Sequence, residues 1–181
     1  MVSLRFFWGT SKYRTNGSSA KFIAMGLSLF IFRAVFAAEG TVTFEVLTPK
    51  AALQAAQAAL EDCRASGYQV AVAVVDRFGG IQVVLRDQLA APRTVDTAVG
   101  KARTAAGFRT NTTEIVAVTE AGTPQAGIRN LPGVTVIGGG MIIEAAGTLV
   151  GGIGVSGAPG PHLDDECAQA GIDDIEDLLE F

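Results

Sequence analysis

The chain of 181 residues carries one histidine, His162, and two cysteines, Cys63 and Cys167. A closed structural zinc site needs four Cys or His ligands, so these three exclude it. His162 remains the one imidazole able to hold a metal. It follows Pro161 at the expected start of a helix, where the positive end of the dipole disfavours imidazolium and keeps a lone pair free. The alternative is a solvent-exposed side chain. Lys101 and Arg103 could hold a small carboxylate, but residues two apart on a helix do not share a face, so only one would reach a common site. Lys101 could equally pair within the chain with Asp76 or a similar acid. Asp76 ends an apolar run before Arg77-Phe78-Gly79-Gly80. Its carboxylate either caps that turn through backbone N–H groups or joins Arg86 and Lys101 in a polar pocket. Gly138, Gly139 and Gly140 offer N–H groups to an anion, or form a mobile turn. Ser156 has no histidine or carboxylate at a spacing that would make it a nucleophile, which rejects a serine hydrolase. No catalytic residue is assigned.

The elements that must position these groups follow from composition and pattern. With 49% hydrophobic and 18% charged residues and a mean hydropathy of +0.35, the chain can bury a sizeable core as one domain. Residues 1–37 hold five of the 14 basic residues and no acid, leaving nine basic against 18 acidic residues, a net charge of −9 on the remainder. A body that acidic repels phosphate backbones, so nucleic acid is excluded as the main partner. Eight acids lie between Asp164 and Glu180 with no basic residue after Arg129. They form a solvated negative face, with weak cation capture as the sharper reading.

Residues 1–37 read as a signal peptide, with an apolar stretch behind Lys21 and cleavage after Ala37 in Val35-Phe36-Ala37. The expected location is periplasmic or secreted. The stretch is interrupted by Arg33 and is shorter than a span needs, so contact with a membrane would arise only through this segment if it stayed uncleaved. A wrongly assigned start codon is the other alternative. Export would permit a Cys63–Cys167 disulfide, with two buried free thiols as the competing reading. Residues 38–47 form an N-terminal arm and residues 48–181 the domain.

Thr48-Pro49 starts a helix that runs through Arg64 with Ala52, Ala55, Ala56, Ala59, Leu60 and Cys63 on one face. Runs from Gln69 to Asp76 and Ile81 to Arg86 form a hairpin. Pro92 opens a second helix, with Val95, Ala98, Val99, Ala102, Ala105 and Ala106 inward and Lys101, Arg103 and Arg109 on its flank. A short helix over Thr112–Val118 and a surface loop from Ala121 to Pro132 follow. Three more strands are expected, Val134–Ile137, Met141–Ala145 and Thr148–Val155, with connections too short for helical crossovers. The last helix runs from Pro161 to Leu179 with a break at Gly171. The fold class is therefore α+β, a five-stranded antiparallel sheet flanked by helices in α-β-α layers. That order removes the force of Gly152-Ile153-Gly154-Val155-Ser156-Gly157. It fits a dinucleotide fingerprint, but the glycines fall on a strand with no βαβ unit around them. Close approach of another backbone, ligand or subunit explains them instead.

Val74-Val75-Asp76 with Gly79-Gly80, Arg86-Asp87, Lys101 to Ala105, Gly138 to Gly140, Gly151 to Pro159 and Asp164-Asp165-Glu166 occur in an order that resembles the GlcG/HbpS-like family over residues 46–181. The resemblance implies an antiparallel sheet flanked by helices, a homo-oligomer, and binding of haem or a related tetrapyrrole. In that light His162 is the candidate iron ligand. Asp76, Arg86, Lys101, Arg103, Gly139, Gly140 and Ser156 are candidates for holding the ligand, with Lys101 or Arg103 on the propionates. The role expected is sequestration, sensing or delivery. Two other readings stand beside it: an accessory factor or enzyme for small 2-hydroxy or 2-keto acids, held by Lys101 and Arg86, and a structural oligomer without ligand.

Overall fold

The computed structural model describes residues 40–179, and the fold lies in the compact unit Thr43–Phe181. The expected signal peptide falls outside the described residues. Helix α1 spans Pro49–Ala65; the Thr48 hydroxyl accepts the Ala51 N–H at its start, and its alanine face is buried together with Leu60 and Cys63. Strands β1 (Ala71–Asp76) and β2 (Ile81–Arg86) form the hairpin. Helices α2 (Thr94–Phe108) and α3 (Thr112–Val118) follow, then β3 (Gly140–Ala145), β4 (Thr148–Ser156), α4 (Pro161–Asp173) and a short α5 (Glu176–Leu179). The loop expected from Ala121 to Pro132 contains a 3-10 turn at Ala126–Asn130.

The sheet has four strands in the order β2-β1-β4-β3, all antiparallel, and not the five expected. The missing strand is Val134–Ile137, whose backbone docks elsewhere: the Thr135 N–H donates to the Thr104 hydroxyl on α2 at 2.9 Å. Gly139 at φ +104 then turns the chain before it can pair, and β3 starts at Gly140. Helix α2 begins at Thr94, two residues beyond Pro92, because Ala91 to Arg93 form a turn whose Ala91 carbonyl accepts the Thr94 N–H and hydroxyl.

Alternation along β1 builds the two faces. Val72 and Val74, with Ile153 and Val155 of β4, pack on the alanines of α1 and on Cys167 and Ala168 of α4. Ala71 and Ala73 pack on Ala98 of α2, and Val75 on Ala102 and Ala106. On that second face Gly152 and Gly154 leave room for the α2 backbone. A Cβ on Gly152 would stand 2.8 Å from the Ala102 carbonyl oxygen, and one on Gly154 would meet the Ala98 carbonyl oxygen and the Ala102 nitrogen. The glycine-rich strand is thus a floor for a closely seated helix. Gly171 is likewise a contact and not a helix break: its Cβ would lie 2.6 Å from the Ala55 carbonyl oxygen, where α4 crosses α1, and the helix continues to Asp173. One turn nearer the start of α4, Cys167 forms a disulfide with Cys63, with a Cα–Cα distance of 5.5 Å.

Candidate functional site

The candidate residues fall into two places and two outliers. The first place is a buried polar node at the junction of α2, β4 and α4. Lys101, expected on a flank of α2, is 1% exposed. Its Nζ donates to Asp164 Oδ2 at 2.7 Å and to the Val155 carbonyl at 2.8 Å. Asp164 Oδ1 accepts the Ala158 N–H, which ties the loop after β4 to the first turns of α4. Burial pushes the Asp164 carboxyl above its usual range, against the pull of the Lys101 ammonium and the Ala158 N–H. Gly139 and Gly140 belong to this node: their N–H groups donate to Asp165 Oδ1 at 2.5 Å and to the Thr112 hydroxyl at 2.9 Å. All three glycines of that turn are buried. Gly139 must be glycine, since a Cβ there would lie 2.6 Å from Asp164 Cβ and 2.8 Å from Lys101 Nζ. Ser156 ends β4 beside Val155 and is buried. The node is a structural clamp whose donors and acceptors serve one another. Sequence reasoning found Lys101 and allowed it an internal acid but left the partner open, and it missed Thr112, Asp164 and Asp165 as members.

The second place is the edge where α2 meets β2 and the hairpin turn. A groove of about 570 Å³ runs between α2 and β2, lined by Ile81, Val84, Val95 and Val99 with Arg103 and Thr135. Val95 and Val99, expected in the core, are half-buried because they form its wall. Arg103 also lines an adjoining pocket of about 480 Å³ with Arg77, Phe78, Gly79 and Arg109. The Arg103 Nε donates to the Gly79 carbonyl at 3.0 Å. Asp76 supports the same hairpin from below, its Oδ1 accepting the Phe78 and Gly80 N–H groups at 2.8 and 2.9 Å, which is the turn-capping role. Arg77 and Arg109 were not among the expected site residues; their signal is position, one in the hairpin turn and one just past α2.

Arg86 and His162 lie apart from both places. The Arg86 guanidinium donates to the Ala90 carbonyl on an exposed surface. His162 is exposed in the first turn of α4, its ring folded over Gly160, and lines neither groove.

A small α-β-α domain with an antiparallel sheet, a buried lysine clamp and an apolar groove ending in arginines is the class these observations define. The chain belongs to the family described as haem degrading protein HbpS-like, which matches residues 47–173. Among solved structures, a double mutant of HbpS from Streptomyces reticuli is 37% identical with a TM-score of 0.70, covering 76% of this chain and 92% of that one. A PduOC:heme complex is 30% identical with a TM-score of 0.67, over 72% of this chain and 95% of that one. Klebsiella pneumoniae protein ORFY is 25% identical with a TM-score of 0.73, over 77% and 97%. No curated protein sequence matches the chain.

Proposed function

We propose that this protein is exported and binds haem or a similar planar tetrapyrrole, for sequestration, sensing or delivery. The observation that carries the reading is the groove between α2 and β2: its four aliphatic side chains suit a flat apolar ring, its one acid, Asp96, is paired with Arg93, and Arg103 joins it to a pocket where Arg77 and Arg109 could meet anionic tails. Membership of the HbpS-like family and the likeness to a haem complex of PduOC support it. The buried Cys63–Cys167 disulfide supports export, because such bonds persist in oxidising compartments. Exposed Phe78 and Leu89, 68% and 77% accessible, support assembly with further copies of the chain.

The groove fits the ring and its carboxylates but contains no His, Cys, Met or Tyr. When bound, haem would supply an iron centre and an intense absorbance; the chain's own residues hold the ring edge and its carboxylates. Absorbance titration of the full chain with haemin is expected to give a saturable Soret band at micromolar haemin, and a flat titration overturns the reading. His162→Ala is expected to leave that band in place, because the side chain lies outside both grooves. A shifted or lost band would make His162 a residue that holds the haem, from another copy of the chain.

A further inference from the structure

We propose that Arg77, Arg103 and Arg109 form a carboxylate clamp, which deepens the haem reading and rests on it for the identity of the occupant. Three of the nine basic residues past residue 37 converge on one pocket of about 480 Å³ in a body of net charge −9. Water and salt screen the repulsion among these exposed or half-buried arginines, but their summed positive potential favours an anion in the pocket they share. None is supplied from within: among the described residues the ion pairs are Arg64–Asp87, Arg93–Asp96 and Lys101–Asp164, and none involves these three arginines.

Arg77 and Arg103 are held by contacts that leave donors for a ligand, and Arg109 is placed by its backbone at the end of α2. The Arg77 guanidinium lies 4.4 Å from the centre of the Phe44 ring and 5.7 Å from that of Phe78, and one Nη donates to the Glu45 carbonyl. Stacking of this kind fixes the plane of the fork. Arg103 is anchored through Nε alone, so its two terminal nitrogens remain for a bidentate contact with a carboxylate. Arg109 caps α2 in the left-handed region, at φ 54 and ψ 42. Glycine is the usual residue at such a cap, and an arginine there costs about 1–2 kcal/mol of backbone strain. A side chain kept at a strained position beside a pocket points to a ligand. Because Arg103 lines both this pocket and the apolar groove, a ring lying in the groove would bring its propionates to the arginines.

The shared chemistry is a carboxylate, whether from haem or from a free small acid. The test compares haemin, haemin dimethyl ester and succinate on the full chain, on Arg109→Gly and on Arg103→Gln/Arg109→Gly. Arg109→Gly relieves the strained cap, so its melting temperature is expected to equal or exceed that of the parent and a binding loss cannot be assigned to misfolding. Haemin affinity is expected to fall at least tenfold in the double variant, while the ester binds parent and variant alike. Equal binding of haemin and ester to the parent, within about twofold, overturns the clamp while leaving the haem reading standing. Should no tetrapyrrole bind at all, the haem reading falls and the clamp is judged by succinate. Saturable binding lost in the double variant supports it, and no binding overturns it.

Discussion

Lys101 and Asp164 carry the sharpest consequence at the scale of single residues. Both are almost fully buried, and removing one partner leaves the other as an uncompensated charge. Lys101→Met is therefore expected to cost about 3–5 kcal/mol, and adding Asp164→Leu to recover a large part of it. Chemical denaturation of the single and double variants measures this; additive losses would mean the two charges are not coupled. The raised carboxyl value of Asp164 sets a sign for pH as well. The native state holds that proton more readily than the unfolded chain, so the contribution is complete below the ordinary carboxylate range and is lost as pH rises through the raised value. In Asp164→Asn the fall in stability as pH rises above the ordinary carboxylate range is expected to be shallower than in the parent. An unchanged or steeper fall would count against burial as the dominant influence. The sequence made Lys101 conspicuous because a lysine sits in an alanine-rich helix, but its partner lies 63 positions away and only the fold brings them together. Arg103 stood out beside it on the same helix, while the pocket it shares with Arg77 and Arg109 became visible only when the hairpin folded against the end of α2.

Local signals sufficed for elements whose geometry is set locally. Thr48-Pro49 announces α1, and the two short connections between β1 and β2 and between β3 and β4 admit only hairpins. The expectation failed at Val134–Ile137, where apolar residues suited a strand but the neighbouring backbone is a helix carrying Thr104. The glycines of β4 were legible as a site of close approach, but not whether helix, ligand or subunit approached. Their role yields a paired prediction on glycines. Gly154→Ala would drive a methyl into the backbone of α2 and is expected to cost about 1–3 kcal/mol or more, since backbone atoms cannot swing aside. Gly107→Ala, in α2 with nothing within 4 Å of the new methyl, is expected to add about 0.5–1 kcal/mol through helix propensity. Thermal unfolding of both variants decides the matter, and a neutral Gly154→Ala would remove the case for a tightly seated α2.

Across the whole molecule, one covalent bond links α1, at the start of the domain, to α4, near its end, over a separation of 104 residues. All of the sheet lies within that loop. Closing a loop of such length removes about 4–5 kcal/mol of unfolded-chain entropy, against a total stability of about 5–15 kcal/mol for a typical domain. The alanine and glycine surfaces that let α1, α2 and α4 sit close bury little area per residue, so the bond supplies a large share of the margin. Reduction is therefore expected to lower the denaturation midpoint substantially, and Cys63→Ser/Cys167→Ser to reproduce the shift in the absence of reductant. Thiol titration under denaturing conditions should find no free cysteine before reduction and both afterwards. An unchanged midpoint once both thiols are free would show that packing alone holds α1 to α4.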